Sequence, residues 1–339
     1  MKSKGITIAD VALKAEVSPA SVSRYLNGVE GNLAPQTAER IARVIEELDY
    51  RPNAWARSLK TRKSGLVAAV VADLTNAYVP AVLDGMETQI NQAGYSLMIG
   101  NTQNDSHLES LLIERLLNQR VEGILIQPSS MRVTPALTAV LNRQVPVVLV
   151  DRLLSGVSEL DRVGLDNYGA VDTALDHLFA QGYRDLLYVT EAVEDVSSRW
   201  ERKKAVEQST LPWRDVRIFI RESAEPAGLI GTLHRVRENR DGIPAAVLCG
   251  NSVAALLAVQ AITQAGYSVP GDFGLMTIDD PPWAPFVLGG ISAVEQPTIE
   301  LGRQAAQRLL QRIANPEAHA PVHSRLPGVL KARHSTQRS

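Results

Sequence analysis

From Leu66 onward the sequence alternates between short apolar runs and amphipathic stretches with helical periodicity. Apolar runs this short, with no polar alternation, are typical of strands buried on both faces, as in parallel sheets covered by helices. The sequence therefore predicts an α/β body made of two doubly wound lobes, in which a ligand would bind beyond the carboxyl ends of the strands. The runs span 66–72, 96–99, 123–126, 145–150, 186–189, 216–220, 245–249 and 274–278.

The segment that precedes this body differs from it in charge. Residues 1–64 carry a net charge of +4 and the rest of the chain carries −6, although the 339 residues together have a net charge of only −2. A basic segment suits contact with phosphates, whereas an acidic body repels nucleic acid. A chain of this length with 45% hydrophobic residues can bury two or three separate cores.

Several functional classes have no support in the composition. Cys249 is the single cysteine, and the six histidines show no metal-ligand spacing, so we expect neither a disulfide nor a metal site. No glycine-rich phosphate loop follows the first strand, and Asp279-Asp280 and Ser197-Ser198 lack a nearby histidine or a nucleophile elbow. We therefore expect no catalytic residues and no cofactor. The lack of a long apolar run or a signal peptide predicts a cytoplasmic protein without membrane association.

Three short helices are predicted before residue 50, over about 7–14, 18–26 and 36–48. The first two are joined by a short turn, which gives a helix–turn–helix pattern over 7–27 with apolar inward faces. The outward face of the second helix fits the major groove of DNA, and its arginine is the natural reader of guanine. That face presents Pro19, Ala20, Ser21, Ser23 and Arg24.

The run TIADVALKAEVSPASVSRYLNG resembles the N-terminal signature of the lactose-repressor (LacI) family, and the likeness continues through ERIARVIEELDYRPNAWARSLKTRKSGLVAAVV. It extends into the body, through VPVVLVDR at 145–152, RVGLDNYGAV at 162–171 and ISAVEQPTIELGRQAAQRLLQRI at 291–313. The resemblance implies a DNA-binding transcription regulator whose sensor is similar to the periplasmic sugar-binding proteins.

The same resemblance implies the division of the chain. Residues 1–50 would form the DNA-binding domain, 51–64 a hinge helix and linker, and 65–339 an effector-binding domain. Its lobe 1 would comprise about 65–165 and 296–324, and its lobe 2 about 166–295 and 325–339.

The resemblance further implies how the chain contacts DNA. The segment matching Arg51 to Lys60 would form a hinge helix on the operator, with Leu59 wedged into the minor groove. Two copies would bind a pseudo-palindromic double-stranded operator as a homodimer. Pro19 and Ala20 depart from the family pattern where operator choice is made, and Ala34 replaces a usual serine cap, so the operator sequence stays open. The implied DNA contacts are Thr7, Ser18, Pro19, Ala20, Ser21, Ser23, Arg24, Asn27, Asn53, Ala56, Arg57, Leu59 and Lys60.

Positions matching the family's effector contacts follow predicted strands or begin a helix in the second lobe. Aspartate and arginine together suit the hydroxyls of a sugar. Val79 stands where purine-binding relatives carry a second aromatic residue beside Tyr78, which argues against a purine as the ligand. Arg199 and Arg202 could together hold a carboxylate, which favours a sugar acid such as gluconate or a ketogluconate. The segment IDDPPWAPFVLGG also looks like the sugar-acid branch of the family. The positions are Asp73, Tyr78, Asn101, Ser198, Arg199, Arg202, Asn251, Asp279 and Trp283.

The sequence thus predicts a repressor whose operator affinity is controlled by a sugar or sugar acid in the cleft between the lobes. Release of the operator by the effector is favoured over corepression, but the sequence does not decide the sign. The alternative is a solute-binding protein or a sugar-modifying enzyme with a helical module that has no role on DNA. Residues 1–64 favour the regulator.

Overall fold

The structure is a computed structural model that describes residues 6–26, 33–50, 63–238, 245–316 and 320–338. The chain divides into two compact units, Met1–Ser64 and Gly65–Ser339. Within the described residues, no helix combines the length and the apolar character needed to cross a membrane.

The described residues of the smaller unit form three helices, α1 (Ile8–Lys14), α2 (Pro19–Leu26) and α3 (Pro35–Glu47), which confirms the three predicted helices. Polar side chains fix where the first two begin. Thr7 Oγ1 accepts a hydrogen bond from the Asp10 amide at 3.4 Å, and Asp10 Oδ2 accepts one from the Thr7 amide at 2.7 Å. Ser18 Oγ accepts from the Ser21 amide at 3.1 Å. Pro35 begins α3, and Ala34 provides no side-chain cap.

A tight turn sets the angle between α1 and α2. Glu16 lies in this turn in the left-handed region, with φ of 51°, and the chain reverses there within a few residues. The three helices then bury a small apolar core, which fixes which face of α2 points outward. The core consists of Val11, Ala12, Ala15, Val22, Ile41, Val44 and Tyr50.

The larger unit contains two six-stranded sheets, and the first forms lobe 1. Its strands are β1 (Leu66–Val71), β2 (Ser96–Asn101), β3 (Ile124–Ile126), β4 (Val147–Val150), β5 (Asp161–Leu165) and β11 (His323–Leu326). They are all parallel, in the order β11–β5–β4–β3–β1–β2. Helices α4 (Tyr78–Gln92) and α11 (Thr298–Ala314) cover one face, and α5 (Ser106–Asn118) and α6 (Pro135–Asn142) cover the other.

The second sheet forms lobe 2. Its strands are β6 (Asp185–Glu191), β7 (Asp215–Arg221), β8 (Ala245–Cys249), β9 (Phe273–Ile278), β10 (Ser292–Glu295) and β12 (Val329–Lys331). The order is β12–β10–β9–β8–β6–β7, and only β12 runs antiparallel to its neighbour. Helices α7 (Asn167–Ala180) and α8 (Ser197–Gln208) cover one face, and α9 (Ala227–Glu238) and α10 (Ser252–Gln264) cover the other.

The two lobes share the chain rather than following one another along it. The chain passes between the sheets after β5, after β10 and after β11. The prediction of two doubly wound lobes is therefore confirmed. Four strands were not among the predicted runs, because β5, β10, β11 and β12 contain polar residues or are very short.

Helices α4 and α11 pack against each other at glycines. A Cβ on Gly302 would overlap the carbonyl oxygen of Val82, and a Cβ on Gly85 would overlap that of Ile299. Only glycine permits this approach. Since α4 begins at Tyr78 and α11 begins just after a crossover between the lobes, the contact fixes one wall of the cleft to that crossover.

Gly302→Ala should destabilise the sensor by about 3 kcal/mol, because the two helices must separate to make room for the methyl group. Gly231 is a matched control in the interior of α9, where an added methyl group would meet no atom closer than Arg235 Nη1 at 3.8 Å. Gly231→Ala should stabilise the protein by about 0.5 to 1 kcal/mol, since alanine favours a helix. Urea unfolding followed by circular dichroism measures both changes. Equal effects of the two substitutions would contradict the close helix contact.

Candidate functional site

The outward face of α2 is the candidate DNA interface of the smaller unit. Pro19, Ala20 and Arg24 are exposed, Ser21 and Ser23 are half-buried, and Val22 is fully buried in the core. The helix thus presents small side chains that allow close approach to a groove, together with one long guanidinium that can reach a base edge. This is the face that the sequence predicted for DNA.

Two predicted DNA contacts have a second role in the structure. The hydroxyls of Thr7 and Ser18 cap α1 and α2, so they fix the start of each helix. The remaining predicted contacts lie outside the described residues: Asn27, Asn53, Ala56, Arg57, Leu59 and Lys60.

The second candidate site is the cleft between the two lobes of the sensor. Polar side chains follow the carboxyl ends of strands in both sheets, where a ligand binds in folds of this kind. Hydrogen bonds cross the cleft directly. Ser197 Oγ, on α8, accepts from the Leu153 amide of lobe 1 at 2.7 Å, and Ser252 Oγ, on α10, lies 3.3 Å from Asn76 Oδ1 of lobe 1.

Tyr78 and Asp279 face each other from opposite lobes at the centre of this cleft. The Tyr78 hydroxyl is buried and has no hydrogen-bond partner among the described residues. Its pKa is raised well above the usual value, first by burial and then by the charges of Asp151 and Asp279. Burial also raises the pKa of Asp279, although Arg202 opposes that shift and Asp279 accepts hydrogen bonds from Gln296 and from the Ser252 amide. The site therefore combines a free hydroxyl with a carboxyl group that is costly to ionise.

The two arginines of α8 have different kinds of partner. Arg199 forms an ion pair with Glu191 at 2.8 Å and donates to the Ala192 carbonyl. Arg202 is only 4% exposed. It donates to neutral oxygens, from Nε to Asn167 Oδ1 at 2.8 Å and from Nη1 to the Gly250 carbonyl at 2.6 Å. Of these two arginines, only Arg199 has an ion-pair partner among the described residues. Binding of one carboxylate by both arginines remains a prediction.

The other predicted effector positions lie around this centre. Asn251 caps α10 through Oδ1 and donates from Nδ2 to Glu191 at 2.7 Å, so it helps to hold the partner of Arg199. Asp73 stabilises its own turn by accepting from the amide and the hydroxyl of Thr75. Asn101 is half-buried at the end of β2, and Ser198 is buried in the first turn of α8.

Trp283 is placed differently from these polar residues. It is partly buried and packs against the apolar core of lobe 2. The structure thus gives this residue a packing role, and contact with an effector remains a prediction.

Sequence reasoning missed a polar group at the lobe 1 side of the cleft. Asp151 follows β4, and its Oδ2 accepts from Gln127 Nε2 at 2.8 Å, while its buried Oδ1 has no partner among the described residues. Arg152 donates from Nη1 to Asn104 Oδ1 at 2.9 Å and to the Pro128 carbonyl at 3.1 Å. The signal was present, because both residues directly follow a buried apolar run, as Asp73 does.

A cavity of about 150 Å³ lies beside Tyr78 and Asp279, lined also by Ser252 and Gln296. A larger hollow, of about 930 Å³, lies at the opposite end of lobe 1, where β4 and β5 begin, and so it is remote from the cleft. The smaller cavity is bordered by the hydroxyl, carboxyl and amide groups that could orient a small polar ligand.

A helix–turn–helix unit joined to two parallel-sheet lobes around a polar cleft defines a DNA-binding transcription regulator with a small-molecule sensor. Comparisons with known proteins agree. The family described as "Bacterial regulatory proteins, lacI family" matches residues 7–53, and the "Periplasmic binding protein-like domain" matches residues 175–336.

Two relatives are similar over most of their length. The HTH-type transcriptional regulator PtxS of Pseudomonas putida is 42% identical over 308 residues, which cover 91% of this chain and 89% of that protein. The HTH-type transcriptional regulator KdgR of Bacillus subtilis is 33% identical over 311 residues, which cover 91% of each. The chain belongs to the lacI family of bacterial regulatory proteins. The alternative of a solute-binding protein or an enzyme is therefore not supported.

Solved structures support the same fold. The lac repressor dimer bound to operator and the anti-inducer ONPF has a TM-score of 0.81 at 23% identity, covering 99% of this chain and 100% of that one. The complex of the transcriptional regulator CelR with cellobiose has a TM-score of 0.69 at 24% identity, covering 97% and 99%.

Tyr78→Phe should stabilise the effector-free sensor by about 1 kcal/mol, because it removes a buried hydroxyl that no described residue pairs with. Tyr183 is the matched control, since it is fully buried and its hydroxyl lies 3.4 Å from the Thr336 carbonyl. Tyr183→Phe should therefore lower stability, by about 0.5 to 1.5 kcal/mol. Urea unfolding of both variants gives the two signs. A loss of stability in Tyr78→Phe would show that the hydroxyl is satisfied in the free protein.

Proposed function

We propose that this regulator is a homodimeric repressor whose affinity for its operator is lowered when a sugar acid binds between the lobes. The α2 face would read base edges in a pseudo-palindromic double-stranded operator. The predicted hinge helix and linker at 51–64 would carry the change from the sensor to DNA. Such a regulator works in the cytoplasm, where its operator is.

The proposed class of effector rests on the environment of Arg202, which is buried and hydrogen-bonded only to neutral oxygens among the described residues. A buried guanidinium is costly unless an anion or strong hydrogen bonds compensate it. Arg202 uses Nε and Nη1 on neutral oxygens, and no described residue accepts a hydrogen bond from its Nη2. A ligand carboxylate would complete the hydrogen bonding of Arg202 with a charged acceptor.

The rest of the cleft suits the polyol part of a sugar acid. The Tyr78 hydroxyl and Asp151 Oδ1 are buried polar atoms with no hydrogen-bond partner in the described part of the chain, and one can donate whereas the other accepts. Sugar hydroxyls need both kinds of group within reach. Binding of cellobiose by CelR supports the wider class of sugar effectors.

Homodimer formation is supported by the dimeric state of the lac repressor in its operator complex. It also agrees with apolar side chains on the surface of this sensor. Ile99 on the edge strand β2, Leu111 on α5 and Phe286, which is 85% exposed, are apolar side chains that a second copy would cover in this proposal.

Arg24→Ala should weaken operator binding by about 1 to 3 kcal/mol and remove the preference at one base pair in each half-site. The operator is obtained by sequencing genomic DNA pulled down with the protein, and fluorescence anisotropy then compares it with single-base-pair variants. Arg40→Ala, on the exposed surface of α3, is the control and should act equally on every sequence. Base reading by Arg24 is refuted if its loss weakens binding to operator and variants by the same factor.

Arg202→Ala should weaken binding of gluconate by about 100-fold, because a charge-assisted contact worth about 2.8 kcal/mol is lost. Isothermal titration with gluconate, a ketogluconate and neutral sugars tests the effector class. The variant should still bind the operator, and Arg199→Ala should weaken gluconate binding less, since Glu191 already holds that guanidinium. If only the neutral sugars give heat of binding, the sugar-acid proposal is wrong.

A further inference from the structure

A series of hydrogen bonds joins Arg202, the proposed effector contact in lobe 2, to lobe 1. We call this series, through Asn167 and Glu201 to Arg325, the relay. Arg325, on β11 of lobe 1, donates from Nη2 to Glu201 Oε1 at 2.8 Å across the cleft. Glu201 Oε2 accepts from Asn167 Nδ2 at 2.8 Å, and Asn167 Oδ1 accepts from Arg202 Nε at 2.8 Å. Arg202 continues the chain to the Gly250 carbonyl at the end of β8.

The three residues on the lobe 2 side of this relay are buried, with exposures of 1% for Asn167, 7% for Glu201 and 4% for Arg202. Arginine can only donate and a carboxylate can only accept, so the two partners fix the orientation of the Asn167 amide. Asn167 is also the first residue of α7, directly after a crossover between the lobes. The relay therefore links α7, α8 and the end of β8 within lobe 2 to β11 of lobe 1.

Glu201 is the one lobe 2 residue of this set that contacts lobe 1. Its carboxylate binds lobe 1 through Arg325 and holds Arg202 through Asn167, so a shift of either arginine changes the other contact. Arg162, on the neighbouring strand β5, contributes charge near Glu201 but makes no side-chain hydrogen bond to a described residue. The bridging hydrogen bond thus belongs to Arg325.

We propose that Glu201 is the positioning residue that couples ligand contact at Arg202 to closure of the two lobes, acting through Asn167 and Arg325. The claim extends the proposed function, because it names the residue that converts occupancy of the cleft into a lobe movement. Glu201 has no contact with the ligand in this scheme. It sets the position of Arg202 and the fraction of molecules with closed lobes.

A ligand-free measurement tests the relay without any assumption about the effector. The Leu153 amide donates across the cleft to Ser197 Oγ, so its hydrogen exchange reports opening of the lobes. In full-length protein, Glu201→Gln should raise the exchange rate of the peptide containing Leu153 by about tenfold, which corresponds to about 1.4 kcal/mol. Arg325→Gln should do the same, and the double variant should show no further increase.

Matched controls separate the bridge from charge and helix effects. Arg162→Gln removes a nearby positive charge without removing a hydrogen bond, and Glu207→Gln removes an exposed carboxylate from the same helix α8. Both should leave the exchange at Leu153 unchanged. Additive effects of the Glu201 and Arg325 substitutions, or an equal effect of Arg162→Gln, would overturn the proposal. Thermal unfolding establishes that each variant is folded, and Arg325→Gln probes the relay from the more exposed end.

A second readout uses gluconate as the probe. If gluconate binds the unchanged protein, Glu201→Gln and Arg325→Gln should each weaken it by about tenfold, and the double variant should be no worse. Unchanged affinity in both would also overturn the relay. If gluconate gives no heat with the unchanged protein, the effector proposal fails, while the exchange experiment still decides whether Glu201 couples the lobes.

Discussion

The sensor depends on a positive charge buried between its lobes. Arg202 is held by an amide oxygen and a carbonyl oxygen rather than by a carboxylate, and burying a charge in this way is costly unless its surroundings are arranged for it. The end of β8, the first residue of α7 and the carboxyl group of Asp279 together form those surroundings. In the proposed function, a ligand carboxylate binds at this guanidinium.

Most of the architecture could be predicted because it follows from local patterns. Apolar runs without alternation identify strands buried on both faces, and these runs became the central strands of both sheets. Polar residues that follow such strands, such as Asp279, necessarily lie at the edge where the lobes meet. The outward face of α2 follows from helical spacing alone.

What could not be predicted depends on contacts between distant segments. Arg199 and Arg202 lie three residues apart on one helix, and the sequence does not distinguish their roles. Only the fold shows that Glu191, at the end of β6, forms an ion pair with Arg199 and not with Arg202. Strand β5 was missed because it begins with a charged residue, Asp161. This aspartate can be buried because it forms ion pairs with Arg308 and Arg312 on α11. The relay through Glu201 joins residues more than 120 positions apart.

The contacts that cross the cleft explain why a small ligand could control the lobes. They are hydrogen bonds that contribute about 1 kcal/mol each to stability, such as the one that the Leu153 amide donates to Ser197 Oγ. A closed form stabilised by a few such contacts is close in free energy to an open form, and a ligand with differential affinity can shift the balance. Coupling between effector and operator then has the same magnitude in both directions.

That reciprocity gives the most direct test of the account. The operator affinity of the full-length protein is measured with and without saturating gluconate, and the gluconate affinity is measured with and without saturating operator, at one salt concentration. The account predicts that gluconate weakens operator binding, and that operator weakens gluconate binding by the same factor, between about 5 and 150. Gluconate affinity that is identical with and without operator would contradict it.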